Sequence, residues 1–226
     1  MLSVVKKLQL IFVKYIYADH NSSIVVKKKL NSLLKILDQS DTSALNVGAG
    51  LTRIHPKITN MDIFPGDHID IVGFAEDIPC ADESFDLIIS QECLEHVRDP
   101  FKAMNEMYRV LKKGGKIYLQ LPFIIGYHPG PTDYWRFTTE GIEELARRNK
   151  FTLLEKGIVV GGGSGYYRIS VEFFAELFSI PVPVLYKPFK AVFATVLYPF
   201  KAFDFIFKYS RQKNRIPGGY YLIAQK

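Results

Sequence analysis

Residues 44–50 read Ala44-Leu45-Asn46-Val47-Gly48-Ala49-Gly50, and twelve residues beyond Gly50 a second apolar run, 58–63, carries Asp62. An apolar run that ends in small residues predicts a buried strand whose tip lets a ligand approach the backbone closely. A carboxylate at the tip of the neighbouring strand can accept both hydroxyl hydrogens of a ribose. Short glycine turns are common, so the rest of the chain must supply the context.

Further short apolar runs follow at 69–72, 85–90, 116–121, 151–160 and 219–225. Helical patterns lie between them. Asp99-Pro100 predicts an N-cap with a first-turn proline, Phe101, Met104, Tyr108 and Leu111 predict one apolar face, and Gly114-Gly115 predicts the helix end. Thr138 or Thr139 predicts the cap of another helix, with Ile142, Leu145 and Ala146 facing inward. Alternation of this kind predicts a doubly wound α/β sandwich whose apolar runs are buried strands of a parallel sheet. Asp86 is expected to orient a turn before its strand.

Nearly half of the 226 residues are apolar, enough for one α/β core with appendages. The net charge of +6 is unevenly placed: residues 1–38 balance to +5, residues 166–216 to +5, and the remainder to about −4. A nucleic-acid binder would put its positive charge on the central domain, so no nucleic-acid partner is expected. Cys80 and Cys93 lack CxxC spacing or a paired His motif. No metal site and no disulfide are therefore expected, and a reducing cytoplasm suits the chain. Residues 1–18 predict a basic amphipathic helix, and 24–37 a second one. Residues 166–216 are crowded with Phe and Tyr, broken by Pro181, Pro183, Pro188 and Pro199, and interrupted by Lys187, Lys190, Lys201 and Lys208. No run there reaches the ~18 apolar residues of a spanning helix. The expected organisation is N-terminal helices 1–38, a core 39–165, an aromatic insert 166–216 and a last core strand 217–226. Buried lid, dimer surface, contact with an anionic membrane face and plain core extension all remain open for the insert.

The ordered series is Asn46-Val47-Gly48-Ala49-Gly50, Asp62, Ala75-Glu76-Asp77-Ile78-Pro79, Ser84 to Ser90, Leu94-Glu95-His96-Val97 and Arg109 to Lys116. It resembles the class I S-adenosylmethionine-dependent methyltransferases, in their small-molecule subgroup, over about residues 43–160. The stretch His128-Pro129-Gly130-Pro131-Thr132-Asp133-Tyr134-Trp135-Arg136-Phe137-Thr138 looks like a narrower signature of members associated with glycan biosynthesis. The resemblance implies a doubly wound, Rossmann-like α/β fold, a mostly parallel seven-stranded sheet with helices on both faces and an antiparallel final strand. It also implies S-adenosylmethionine as cofactor, with Gly48, Ala49 and Gly50 against its methionine part and Asp62 on the ribose. Ile63 would pack on the adenine, Ala75, Glu76 and Asp77 would edge it, and Ser90 and Gln91 would face the methyl group. Two residues depart from the family pattern: Asn46 stands where an acid is usual, and Phe74 where an Asp contacts the adenine amine. The span from Gly50 to Asp62 is also too short for a crossover helix.

The 128–138 segment follows the fifth strand at the carboxyl edge of the sheet, where such folds bind ligands. A hydroxyl acceptor needs a base, with His128 the first candidate, Asp133 the second and His96 the third. Tyr134, Trp135 and Arg136 are the candidate acceptor contacts. The expected function is methyl transfer to a small-molecule or glycan acceptor, a sugar hydroxyl that could be lipid-linked. Nucleic-acid methylation is disfavoured because the fourth strand ends Ser90-Gln91-Glu92-Cys93, without the Asn/Asp-Pro-Pro-aromatic cradle for a base amine. A non-enzymatic methyltransferase-like module is the rival reading.

Overall fold

The computed structural model describes residues 20–51 and 53–226; the helix expected over 1–18 lies outside them. Seven strands form one sheet: β1 (Ala44–Val47), β2 (Thr59–Asp62), β3 (Ile71–Val72), β4 (Phe85–Gln91), β5 (Leu111–Pro122), β6 (Thr152–Val160) and β7 (Gly219–Gln225). Their order is β3-β2-β1-β4-β5-β7-β6. Strands β3, β2, β1, β4 and β5 pair in parallel. β7 runs against β5, because Gly114 N bonds Lys226 O while Ile124 N bonds Pro217 O, so the pairing order reverses. The sheet is thus mixed, mostly parallel with one antiparallel strand. Every residue of β1 is buried, as expected for a central strand covered on both faces.

The helices are α1 (Ile24–Leu34), α2 (Pro100–Val110), α3 (Thr139–Arg148), α4 (Gly162–Ser179), α5 (Tyr186–Val196) and α6 (Asp204–Phe207). Asp99 caps α2 by accepting from Lys102 N, and Thr138 caps α3 by accepting from Gly141 N, as the sequence predicts. The buried face of α2 is Pro100, Ala103, Met104, Met107 and Val110. Phe101 instead is partly exposed, with the Arg148 guanidinium over its ring. Gly114 and Gly115 do not end α2; the helix stops at Val110, Leu111 turns extended, and both glycines lie within β5. Asp86 sits inside β4, where it accepts from Ser43 N and Lys112 Nζ and ties β1 to β5 rather than orienting a turn.

By contact the chain divides into two compact units. One comprises 27–123, 127–157 and 220–226. It holds the main core, with Leu45, Val47, Ile88, Met104, Ile117 and Leu222 at its centre. The other comprises the described part of 1–26, 124–126 and 158–219. In it Tyr167 and Val171 of α4 are buried with Ala194 of α5, and the Tyr167 hydroxyl donates to Ala194 O. Phe193 stacks on Phe174 with centroids 5.3 Å apart and meets Phe178 at a tilt with centroids 5.2 Å apart. The Ser164 hydroxyl donates to Asp204 at 2.6 Å. Part of the aromatic content is therefore internal packing. Among the described residues no helix is long and apolar enough to cross a membrane.

Candidate cofactor cleft and acceptor edge

β1 and β2 place the first half of the site. Gly48 and Gly50 have φ of 73° and 59°, the left-handed region that favours glycine. The turn curls over β2, with Gly48 N and Ala49 N both donating to Met61 O at 3.0 Å. Asp62, at the tip of β2, accepts from Gly50 N through Oδ2 at 2.9 Å and from Phe64 N through Oδ1 at 3.1 Å. Each oxygen keeps a second lone pair, so the carboxylate can still accept from a diol. A Cβ on Gly50 would meet nothing within 4 Å, which leaves the space beside that carboxylate open.

The cleft has a volume of about 440 Å³, within the range of small-ligand sites. Of the expected cofactor residues, Gly48, Gly50, Asp62, Ile63, Ala75 and Glu76 line it, as do His96 and Tyr134. Ala49 does not; its contribution is the backbone bond to Met61. Asn46 is buried, its amide donating to Asn60 Oδ1 at 3.1 Å, so it braces two strands rather than meeting a ligand. Asp77 is exposed and closes the Phe74–Asp77 turn instead. Ser90 and Gln91 do not face the cleft either. Ser90 is buried, and Gln91 Nε2 donates to Gln120 of β5 at 3.1 Å. Pairing with β5 keeps the strand straight to Gln91, so the residues that reach the cleft are Glu92, at φ 50°, and Cys93. Burial pushes the Cys93 thiol up to about 12, which makes it a packing group and no nucleophile.

The 128–138 segment docks on 95–97. Tyr134 N and Trp135 N both donate to Glu95 O, the Thr132 hydroxyl donates to His96 O, and the Trp135 indole donates to Val97 O. Gly130, Pro131, Thr132 and Tyr134 thereby form one wall of the cleft. Asp133 is 2% exposed at its side chain and held by both Arg136 guanidinium nitrogens, at 2.5 and 2.6 Å. Burial pushes its carboxyl up, but Arg136 and the His128 N–H win and hold it at about 2. A carboxylate that acidic is a poor base at neutral pH. Asp133 is therefore a brace, Arg136 its partner rather than an acceptor contact, and Trp135 a strap on Val97.

The same docking uncovers a residue that the sequence reading passed over. Glu95 is fully buried, and burial, aided by nearby Glu92, raises its carboxyl to about 7 against the pull of His128. Its Oε1 lies 3.6 Å from His96 Nε2 and 3.7 Å from His128 Nε2. The two imidazole rings meet edge-on, with centroids 5.2 Å apart. His96 donates through Nδ1 to Thr132 O, and burial holds its pKa below the usual value.

Residues 45–119, a third of the chain, match the family described as "Methyltransferase domain". Among curated proteins the chain is 35% identical over 82 residues to the ubiquinone/menaquinone biosynthesis C-methyltransferase UbiE of Vibrio campbellii, covering 36% of this chain and 29% of that protein. It is 36% identical over 74 residues to the uncharacterised protein YafE of Escherichia coli, covering 33% and 35%. The chain thus spans about a third of the length of the curated relatives it matches. Among solved structures, 1,6-didemethyltoxoflavin-N1-methyltransferase of Burkholderia thailandensis, with S-adenosylhomocysteine bound, superposes with a TM-score of 0.54 at 12% identity, over 100% of this chain and 91% of that one. The [4+2]-cyclase SpnF superposes with a TM-score of 0.55 at 19% identity, over 92% and 84%. The fold is the Rossmann-like methyltransferase fold, and residues 45–119 are similar to methyltransferase domains; the Burkholderia thailandensis neighbour holds S-adenosylhomocysteine, the demethylated form of the cofactor S-adenosylmethionine. The open cradle beside Asp62 fits the adenosyl group of that cofactor.

Proposed function

We propose that the protein is an S-adenosylmethionine-dependent methyltransferase acting on a hydroxyl of a small molecule, most simply a sugar, and that this sugar is carried on a lipid. The observation that carries the reading is the Asp62 carboxylate, fixed by two backbone N–H groups at the mouth of a glycine-lined cleft. Asp62 would hold the ribose diol, Ile63 and Ala75 would flank the adenine with Glu76 at its edge, and Glu92 and Cys93 would face the methionine portion. The cofactor, when bound, supplies a methyl group on a sulfonium, whose broken bond leaves its electron pair on sulfur as a thioether. What the chain must do is hold the acceptor oxygen about 3–3.5 Å from the methyl carbon, in line, and take up its proton. Tyr134 and Thr132 line the side from which the acceptor would enter. With Asp133 locked by Arg136, proton handling falls to the group formed by His96, Glu95 and His128.

Calorimetry with S-adenosylmethionine and S-adenosylhomocysteine tests the first half. Binding with micromolar affinity is expected, and no heat at millimolar cofactor would defeat the reading. Transfer of labelled methyl to free or lipid-linked sugars tests the second half. Binding without transfer to any hydroxyl acceptor would favour a cofactor-binding module, a reading to which the shared fold of the cyclase SpnF lends weight.

The lipid-linked acceptor is supported by the helical unit. Ile180, Val184, Phe205, Ile206 and Tyr209 are each more than 60% exposed, and the exposed Lys187 and Lys208 lie among them in the chain. Aromatic and aliphatic side chains mixed with lysine suit the boundary of an anionic bilayer. The protein is expected to float with anionic vesicles at low salt, to release as salt rises, and to lose most binding in Phe205→Ser/Ile206→Ser. Failure to float at low salt would remove the membrane from the proposal.

A further inference from the structure

We propose that Glu95, His96 and His128 form a binding site for a divalent transition-metal ion of the zinc class, at the acceptor edge of the cleft. One oxygen or nitrogen from each residue converges so that all three lie within 4.8 Å of one another. Bonds of about 2.1 Å to a tetrahedral ion would separate ligand atoms by about 3.4 Å. The observed Oε1 to Nε2 separations of 3.6 and 3.7 Å need only small side-chain adjustments to reach that value.

The independent observation is Glu95 itself. Its side chain is 0% exposed, and neither carboxylate oxygen accepts a hydrogen bond among the described residues. A buried carboxylate costs several kcal/mol in desolvation unless it is protonated, paired or coordinated to a metal, and a cation between these three side chains would keep it ionised. Two imidazole Nε2 atoms aimed at it complete a two-histidine, one-carboxylate donor set, which selects zinc or its first-row neighbours over calcium and magnesium.

The groups behind the ligands agree with this assignment. His96 spends Nδ1–H on Thr132 O, which leaves the Nε2 lone pair directed at Glu95. His128 Nδ1 lies 3.4 Å from Asp133 Oδ2 and 3.3 Å from Arg136 Nη2. Arg136 can only donate, so His128 Nδ1 accepts from it and Nε2 carries the proton; an ion at Nε2 would move that proton to Nδ1, where Asp133 would accept it in a carboxylate–histidine–metal arrangement. Asp133 and Arg136 would then be positioning residues. Among the described residues three protein ligands converge, as in catalytic sites, and the remaining position is available to water or an acceptor oxygen. Of the three residues His96 lines the cleft, so the site borders the space an acceptor would occupy, while His128 Nε2 and both Glu95 oxygens are buried behind it. The acceptor role rests on the methyltransferase reading; the metal site does not.

The test is calorimetric titration of the chelator-treated full chain with Zn²⁺, repeated with Co²⁺ while following visible absorption. One ion per chain is expected. His128→Ala and Glu95→Gln should each weaken binding at least about 100-fold, and Asp133→Asn about 10- to 100-fold. His128 lies in a surface loop, so its variant reports even if Glu95→Gln fails to fold. Sub-stoichiometric binding by the wild type, or unchanged affinity in His128→Ala, would overturn the site. The same samples titrated with S-adenosylmethionine separate the two claims. Cofactor binding without zinc binding removes only the metal, and zinc binding without cofactor binding removes only the methyltransferase reading.

Discussion

Replacing Asp62 with alanine is expected to weaken S-adenosylmethionine binding by roughly 10²-fold while leaving the fold nearly intact. A hydrogen bond to a charged group contributes about 1.5–3 kcal/mol, and two ribose hydroxyls would share this carboxylate. The protein's own bonds to it, from Gly50 N and Phe64 N, lie at the exposed mouth of the cleft, so water can replace the lost acceptor. The variant should therefore melt close to the wild type, and calorimetry should show the loss as affinity rather than as a smaller folded fraction. Asp62→Asn keeps the shape and one acceptor and should fall between the two. Unchanged affinity in Asp62→Ala would mean that the adenosyl group, if bound, lies elsewhere.

Gly48→Ala is expected to damage both stability and cofactor binding. A Cβ there would lie 2.6 Å from both Cβ and Sγ of Cys93, and φ is 73°. The left-handed backbone costs an L-residue about 1–2 kcal/mol, and the overlap about 1–3 kcal/mol more. For a chain of this size that is a loss of roughly 10 °C in melting temperature. Gly50→Ala is the control: φ is 59° but its Cβ would meet nothing, so only the backbone part of the loss should appear. Adding Cys93→Gly to Gly48→Ala should restore the steric part and not the backbone part. No melting difference between the Gly48 and Gly50 variants would refute the close packing of the β1 turn on Cys93.

These two residues were legible in the chain because they sit on the first two strands, where a glycine turn and an acid at a strand tip have one geometric meaning. The seven strands were legible for a related reason. Strands buried on both faces carry continuous apolar runs such as 44–47 and 85–90, and helix starts carry their own caps, Asp99 and Thr138. Local chemistry determined those elements. The Gly114-Gly115 pair misled because a left-handed glycine serves a strand irregularity as well as a helix end; only pairing with Gln225 and Lys226 of β7 distinguishes them.

The acceptor side was read less well, because its residues take their roles from partners distant in sequence. Asp133 is a plausible base until Arg136 is seen to grip it. Ser90 and Gln91 are plausible cleft residues until Gln120 is seen to hold β4 straight beyond them.

Fold class, the positions of the strands along the chain and the unsuitability of the aromatic segment for spanning a bilayer were legible in the sequence alone, since each depends on neighbours a few residues apart or on a period. The convergence of Glu95 and His96 with His128, across the whole of β5's chain segment, was decided only by tertiary structure. Burial stripped Glu95 of water and aimed two imidazoles at it, and no local pattern of residues encodes what a side chain loses when another loop closes over it.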